Sequence, residues 1–392
     1  MSDFKVVFTL KQHTPLIHFQ SDQSGATLRA TELKPKLDKF LLKRVPSLNY
    51  RENANGHKSL EYKVFISVQN SKKVKIQNRT YFGNMGKKPH DSEFRYAVES
   101  NGIKLKIHSF DTILIKVIKE WFPSFLALTN FGTRQSKGFG SFYLDKEDEN
   151  YVNPIKALDK LEVAYIYANY NTSVSNVFSY VEVIYPLMKT GINFPDYRKK
   201  EISLRNGRTK RIPDPSQGRG RKESYYKSFL FKYMLQKSPA IGNEKRFIKE
   251  NFFMPTLRIA SDGYQKKYVR AMLGVSDGIE FRGDRYAKNK DHQRHGKIEY
   301  SNNDVKRFKS PLTFKIIGSQ MIVIPHEIPE KIYGLKFSFS HNFKQRGEMK
   351  TFSKPIETPK SFDLVDFLYA FADYVNETLE VDKPHNSHNM FD

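Results

Sequence analysis

The chain has 392 residues, 39% of them hydrophobic, which is enough apolar material for a core and favours two domains or one large one. Lys and Arg number 66 against 42 Asp and Glu, and the resulting net charge of +24 predicts a polyanionic partner, nucleic acid first and an anionic membrane surface second. The absence of cysteine excludes disulfides, thiolate-bound zinc, iron–sulfur clusters and thiol nucleophiles. We therefore expect a cytoplasmic protein without a cofactor or a metal site.

The charge is unevenly distributed. Residues 33–89 carry a net charge of +11, residues 191–230 carry +7, and the last 32 residues carry −6. Apolar stretches such as Trp121–Thr133 and Ile316–Pro325 fall short of the roughly 20 residues that a membrane-spanning helix needs. The amino-terminal residues lack the basic and apolar regions of a secretion signal. The pattern predicts a basic body closed by an acidic helix and tail, with no membrane span.

The first 145 residues alternate clearly between strand and helix periods. Phe4, Val6, Phe8 and Leu10 alternate as in a strand, and Thr31 could cap a helix. Apolar side chains then predict strands over residues 62–68 and 103–107, a helix capped by Asp111, and a strand over residues 139–144. This strand, helix, strand, strand, helix, strand order is typical of the ferredoxin-like fold, which RNA-recognition modules also use. We predict a first domain over residues 1–150.

The second half is less regular. Residues 161–170 and 180–185 alternate as strands, residues 225–235 predict a helix, and residues 311–324 predict a hairpin around Gly318–Ser319. The Arg-, Gly- and Pro-rich residues 193–222 show no period, and residues 362–371 predict an amphipathic helix. Residues 151–392 are therefore predicted to form a second ferredoxin-like domain with long basic insertions, in an α+β protein.

A glycine-rich basic stretch over residues 131–142 stands out. Gly132, Gly138 and Gly140 let the backbone approach a ligand closely, while Arg134 and Lys137 add charge. It is not a P-loop, because Phe139 follows the second glycine, whereas that motif requires Lys-Ser/Thr there. It is not a dinucleotide-binding loop either, because it precedes a strand, whereas such a loop follows a strand and precedes a helix. A tight turn with solvated charges is the alternative interpretation.

Together with three other stretches, this loop resembles the RAMP superfamily of CRISPR proteins. Residues 132–140 match its pattern of a glycine, five residues with Arg or Lys, and Gly-aromatic-Gly. Thr14-Pro15-Leu16, residues 29–34 (RATELK) and residues 307–312 (RFKSPL) resemble three further motifs of these proteins. The combination is most similar to the first subunit of type III-B (Cmr) effector complexes.

The resemblance implies a structural, non-catalytic subunit that binds guide (CRISPR) RNA and target RNA beside other RAMP subunits. Such a subunit would hold the 3′ part of the guide RNA, or the end of the guide–target duplex, for antiviral defence. Basic and aromatic residues 205–226 could neutralise phosphates and stack bases, the alternative being a solvated, disordered insertion. The predicted RNA contacts are Arg29, Lys34, Lys36, Arg134, Lys137, Gly138, Phe139, Gly140, Arg208, Lys210, Arg211, Arg219, Arg221, Lys222, Arg307 and Lys309.

Two other functions stay open. A RAMP endoribonuclease could cut CRISPR precursor RNA without metal, with His13 or His18 as the base. A free-standing RNA-binding protein outside CRISPR systems is the second alternative. His292 and His295 lie in a charged run without a neighbouring carboxylate ligand, and the acidic residues 145–149 lie in a linker, so neither predicts a metal site.

Overall fold

The computed structural model describes residues 4–18, 27–76, 96–197, 199–203, 209–213, 219–237, 241–248, 250–251, 264–275, 279–281, 296–302, 305, 307–345 and 348–379. The chain divides into two compact units. Unit 1 comprises Met1–Glu182, Lys309–Glu327 and Asp363–Asp392, and unit 2 comprises Val183–Phe308 and Ile328–Phe362. The domain boundary predicted near residue 150 stays a prediction.

The amino-terminal part of unit 1 contains a four-stranded antiparallel sheet covered by two helices. The order in the sheet is β4-β7-β1-β8, and every neighbouring pair is antiparallel. The elements are β1 (Lys5–Gln12), α1 (Ala30–Arg44), β2 (Arg51–Glu52), β3 (Lys58–Ser59), β4 (Lys63–Ser67), β5 (Asn70–Lys75), β6 (Tyr96–Asn101), β7 (Ile103–His108), α2 (Thr112–Leu128), β8 (Phe142–Leu144) and α3 (Pro154–Asp159).

Side-chain periodicity explains this arrangement. Val6, Phe8 and Leu10 alternate along β1 and are buried, and the Phe8 ring stacks on Phe122 of α2 with centroids 4.3 Å apart. The carboxylate of Asp111 accepts hydrogen bonds from the first backbone amides of α2 at 2.8 and 3.0 Å, which confirms the predicted cap. The cap predicted at Thr31 is wrong, because α1 begins at Ala30 and its N-cap is Arg29.

The remainder of unit 1 is built from distant segments of the chain. It contains β9 (Ile166–Asn169), the first part of α4 (Val174–Lys189), β18 (Leu312–Ile317), β19 (Gln320–Pro325) and α7 (Leu364–Leu379). The strands form an antiparallel sheet in the order β18-β19-β9, and α7 packs on β9 and β19. The predicted hairpin is confirmed, with Gly318 at φ 60° in its turn.

The strand predicted over residues 180–185 is wrong, because these residues lie in α4. Val177, Val181, Ile184 and Met188 are buried at helical spacing along this helix. The six-residue window was too short to separate a period of two from a period of 3.6.

Unit 2 contains a six-stranded sheet in the order β14-β15-β21-β20-β17-β16 and two antiparallel ribbons, β10–β13 and β11–β12. Strands therefore form within residues 193–222 although this stretch shows no apolar period, because backbone ladders do not require one. The elements are β10 (Ile192–Tyr197), β11 (Lys199–Ser203), β12 (Thr209–Pro213), β13 (Arg219–Tyr226), α5 (Phe229–Lys237), β14 (Ile241–Asn243), α6 (Glu244–Ile248), β15 (Gln265–Lys267), β16 (Ile279–Phe281), β17 (Gly296–Ser301), β20 (Lys336–Gln345) and β21 (Glu348–Glu357), with short 3-10 helices at Val269–Leu273 and Glu330–Ile332.

Helices combined with mostly antiparallel sheets confirm the α+β class. Among the residues that the structure describes, no helix is both long enough and apolar enough to cross a bilayer.

Candidate nucleic-acid interface

The glycine-rich loop, residues 131–141, connects α2 to β8, as the sequence predicted. It is fastened to the segment that follows β1. The Thr14 hydroxyl donates to the Gly138 carbonyl at 2.6 Å and accepts from the Ser141 amide at 2.9 Å. The Gly140 amide donates to the Pro15 carbonyl at 2.9 Å. The Thr-Pro-Leu stretch and the loop, whose bonded residues Thr14 and Gly138 are 124 positions apart in sequence, thus form one hydrogen-bonded frame.

Close backbone contacts explain two of the glycines. Gly140 has φ 65°, and a β-carbon there would overlap the Phe131 carbonyl. Gly132 has φ 76°, and its β-carbon would overlap the Ile17 carbonyl. These positions allow only glycine, whatever the loop binds.

The loop is buried at Phe131 and over residues 138–141, and the residues between them are half-buried except for Arg134. Phe139 is 1% exposed and meets Phe178 edge to face, with centroids 4.8 Å apart, so its ring has no free face for a base. Gly138 and Gly140 are buried as well, and the Lys137 Nζ atom lies below the surface. Arg134 is exposed. The burial places Lys137, Gly138, Phe139 and Gly140 in the frame of the loop.

The cover over the loop comes from β18. The Asn130 amide group donates to the Phe314 carbonyl at 2.8 Å, and the Ser141 hydroxyl donates to the Ile316 carbonyl at 2.6 Å. Between them, the fully buried Lys315 ammonium donates to the carbonyls of Thr129 and Phe142 at 2.7 and 2.9 Å. The loop is therefore held on both sides, by the end of β1 and by a strand about 175 residues further along the chain.

The amino-terminal turns of α1 bring cationic side chains to this frame. Glu32 links the two, since its carboxylate accepts from the Gly132 amide at 2.8 Å and pairs with Lys36 at 2.7 Å. Lys36 also donates to the Asn130 carbonyl at 3.0 Å. Arg29 lies one helical turn before Glu32, on the same side of α1. The sequence shows Glu32 as an acidic residue in the first turn of a basic helix, but nothing in its pattern identifies it as the link to the loop.

Arg134 occupies an unusual backbone conformation at the tip of the loop. Its φ is 57°, a region that L-residues other than Asn and Asp seldom adopt. The frame that imposes this conformation also leaves the side chain exposed. Strain of this kind is typical of residues that a fold presents for binding.

Weak bases around the loop lie close to other cations. Each has a lowered pKa, with burial as the larger cause and a neighbouring cation as the second. The pairs of base and neighbouring cation are His18 with Arg29, Lys309 with Lys36, Lys315 with Lys36, and His326 with Lys309. A phosphate placed among these cations would relieve their mutual repulsion.

Other predicted contacts lie elsewhere. Lys34 points away from the loop, because its ammonium pairs with Asp38 at 2.7 Å, donates to the Leu60 carbonyl at 2.8 Å and lies over the Tyr62 ring. Arg307 is exposed and belongs to unit 2. The backbones of Lys210 and Arg211 lie in β12, those of Arg219, Arg221 and Lys222 lie in β13, and Arg208 lies outside the described residues. The structure therefore brings together Arg29, Lys36, Arg134 and Lys309, which we call the loop cations.

The two candidate catalytic histidines lie near the end of β1. His13 Nδ1 accepts a hydrogen bond from the Gly318 amide at 3.0 Å, which places the proton of the neutral ring on Nε2. Burial, followed by the charges of Lys315 and Lys11, lowers its pKa to about 3. His18 is partly buried beside Arg29. Within the described ranges, His, Asp and Glu form no metal-binding group of three, and His292 and His295 lie outside those ranges.

Comparison with known proteins agrees with these motifs. Residues 3–192 match the Cmr1 N-terminal domain, and residues 225–391 match the Cmr1 C-terminal domain. The crystal structure of Cmr1 from Pyrococcus furiosus (apo form) aligns over 83% of this chain and 90% of that chain, with 12% identity and a TM-score of 0.29. None of the curated proteins matches the chain. Since the two domain matches span most of the sequence and agree with the RAMP motifs, the chain belongs to the Cmr1 family.

Proposed function

We propose that the chain is an RNA-binding structural subunit of a type III-B (Cmr) CRISPR effector complex. In this role it assembles with other Cmr subunits and holds the 3′ part of the guide RNA or the end of the guide–target duplex. Membership of the Cmr1 family supports the assembly, and the charge of +24 supports a polyanionic ligand.

Topology supports two ferredoxin-like domains as the scaffold. The order β4-β7-β1-β8 with α1 and α2 on one face is that of a ferredoxin-like sheet. The order β9-β19-β18 with α4 and α7 has the same arrangement without its last strand. In this interpretation, unit 2 is built from insertions into the second domain.

The observation that carries the proposal is the set of loop cations on a rigid frame. Arg29, Lys36 and Arg134 come from two segments that Glu32 and the Thr14 hydrogen bonds fix in place. Lys309 adds a fourth cation, whose lowered pKa follows from burial and the Lys36 charge. Pre-positioned cations lose little side-chain entropy when they bind phosphates.

These residues suit contacts with the RNA backbone. Sequence is recognised by pairing between guide and target, so the protein needs to hold phosphates in register and has no need of base-edge contacts. Arg134 at the loop tip would make the most direct contact, because it is the exposed cation of the loop.

The chemistry of His13 supports a non-catalytic role. A general base needs an available lone pair, whereas Nδ1 of His13 is occupied by the Gly318 amide and Nε2 carries the proton. We accordingly propose that RNA is held and not cut by this subunit.

A pair of variants separates binding from folding. We expect Arg134→Ala with Lys309→Ala to weaken binding of single-stranded RNA by about 1–3 kcal/mol, because charged hydrogen bonds are lost. Thermal stability should change little, because Arg134 is exposed and the lowered pKa of Lys309 means that folding does not favour its charge. Lys34→Ala should lower thermal stability, since it leaves the buried Asp38 carboxylate without its cation. It should leave RNA affinity unchanged, because Lys34 contacts no loop residue.

Fluorescence anisotropy with a labelled RNA and thermal melting measure the two effects. Equal RNA affinity for wild type and the Arg134/Lys309 variant would contradict the assignment of the site. Incubation with CRISPR repeat RNA tests the catalytic alternative, and metal-independent cleavage at one position that His13→Ala or His18→Ala abolishes would overturn the non-catalytic role.

A further inference from the structure

The first sheet of unit 1 has a second face, opposite to the one that α1 and α2 cover. Val6, Phe8 and Leu10 of β1 are buried beneath the helices, so the residues that alternate with them lie on the other face. On β1, β4 and β7 this open face carries Lys5, Lys63, Lys104 and Lys106, all exposed. These four lysines are thus on the side of the sheet that faces away from the helices.

Strand register places these lysines in rows. His108 of β7 pairs with Lys5 on one side and with Lys63 on the other. The next row pairs Lys106 with Phe65 of β4, and the third contains Lys104. Neighbouring positions are about 5 Å apart across strands and about 7 Å apart along them, so the charges act together within roughly one Debye length.

The four lysines have no carboxylate partner within the described ranges. Some other lysines of unit 1 are paired, for example Lys72 with Glu99 at 3.1 Å and Lys160 with Glu120 at 2.8 Å. Like charges concentrated on a sheet face destabilise the free protein slightly. Such a face gains from an anionic ligand.

Exposed aromatic rings border the same lysines. Phe65 is 54% exposed and is in edge contact with the His108 ring, with centroids 5.8 Å apart. At the end of the face, Phe4 is 50% exposed and Phe110 is 99% exposed, and the Ser109 amide donates to the Phe4 carbonyl at 3.1 Å. Cations interleaved with exposed rings are the pattern that single-stranded nucleic acids require, since phosphates and unpaired bases are bound side by side.

We propose that this open face is a second RNA-binding surface, which holds an unpaired segment of RNA with its phosphates on Lys63, Lys104 and Lys106 and a base on Phe65. The proposal rests on the proposed function and deepens it, because it adds a surface separate from the loop cations. The loop cations suit backbone contacts with either paired or unpaired RNA, whereas Phe65 can stack only on a base that is not already paired.

The charge of the face is tested with Lys104→Gln and Lys106→Gln in the full chain. For a single strand, each lost phosphate contact reduces the magnitude of the slope of log affinity against log salt by about 0.7. This variant should therefore make the slope shallower by about 1.4. Lys39→Gln with Lys116→Gln is the matched control, because both lysines are exposed, lie on α1 and α2, and remove the same charge from the helical side. The control should leave the slope close to that of wild type.

Stacking is tested at Phe65. We expect Phe65→Ala to weaken binding of single-stranded oligouridine about 10-fold. Phe65→Ala should leave binding of a fully paired duplex unchanged. Phe65→Tyr, which keeps the aromatic ring, should bind oligouridine as tightly as wild type. Phe65 is half exposed, so thermal melting should show a folded variant.

The outcomes distinguish the two proposals. If wild type binds RNA and the Lys104/Lys106 variant matches the Lys39/Lys116 control, the open face is overturned and the loop cations stand. If Phe65→Ala weakens single-stranded and duplex RNA equally, stacking is overturned. If wild type itself shows no salt-dependent RNA binding, the proposed function fails first. If the lysine variant loses binding to anionic lipid vesicles while its RNA binding is unchanged, the face binds a membrane surface and the proposal is overturned.

Discussion

His13 shows how one buried side chain constrains the chemistry of the site. Its Nδ1 atom accepts the Gly318 amide from the turn of the β18–β19 hairpin, which fixes the tautomer of the neutral ring. Burial is the main reason why the pKa of His13 falls to about 3, and the charges of Lys315 and Lys11 add to it. The residue therefore links two segments of unit 1 and stays neutral at physiological pH.

This neutrality predicts a specific loss of stability in acid. The pKa of His13 is about 3 in the folded state against 6.5 ordinarily, so the unfolded state binds more protons between these values. Stability is unaffected above pH 6.5 and falls as the pH drops towards 3. At pH 5 the loss should be about 2 kcal/mol relative to His13→Asn, which keeps an acceptor for Gly318 but does not titrate.

Urea denaturation of wild type and His13→Asn at neutral and acidic pH measures this difference. Other titrating groups are common to both proteins, so they cancel in the comparison. A stability difference between the two proteins that is independent of pH would show that His13 is not held neutral.

Within the elements, the glycine-rich loop and the β18–β19 turn provide a matched comparison. Gly140 and Gly318 have φ values of 65° and 60°, but a β-carbon at Gly140 would overlap the Phe131 carbonyl while one at Gly318 would meet nothing within 4 Å. Gly318→Ala should therefore cost only the backbone penalty of about 1–2 kcal/mol. Gly140→Ala should cost roughly 1–3 kcal/mol more, because the frame must shift.

Chemical denaturation of the two variants tests whether the loop is a packed frame. Gly140→Ala should also weaken RNA binding, because Arg134 would move with the loop, whereas Gly318→Ala should leave affinity nearly unchanged. Equal destabilisation by the two substitutions would contradict the close approach of Gly140 to Phe131.

Local patterns predicted those elements whose signals lie within a few residues. The alternation of Val6, Phe8 and Leu10, the Asp111 cap and the turn at Gly318 were sufficient for β1, α2 and the β18–β19 hairpin. The pattern also located the glycine-rich loop. Its burial was not predictable, because the covering residues Phe314 and Ile316 are distant in sequence and their contacts are made by backbone carbonyls.

The candidate site was predictable in charge but not in geometry. Lys34 and Lys36 are two residues apart on a helix and therefore point to different sides, towards Asp38 and towards the loop. Only the structure shows that Lys137 lies below the surface while Arg134 does not. The open sheet face escaped notice because its lysines come from three strands whose pairing brings them together.

At the scale of the whole molecule, the net charge of +24 allows two explanations of RNA binding. A diffuse positive field would attract RNA through all 66 basic residues. Specific binding surfaces would instead concentrate the contacts on the loop cations and the open face. Salt dependence separates them, because only phosphates that are actually neutralised contribute to the slope.

We expect a slope of about −3 to −4 for the full chain on single-stranded RNA, equivalent to roughly five phosphates at 0.7 each. Removing Arg134 and Lys309 should lower its magnitude by about 1.4, and removing Lys104 and Lys106 should lower it by the same amount. The two changes should add, since the clusters share no contacts, so the combined variant should keep a slope of about −0.7. Affinity titrations over a salt series measure all four slopes, with the Lys39/Lys116 variant as the reference for lost charge. Slopes that fall equally for the reference and the two cluster variants would favour the diffuse field, because charge would then matter regardless of where it lies.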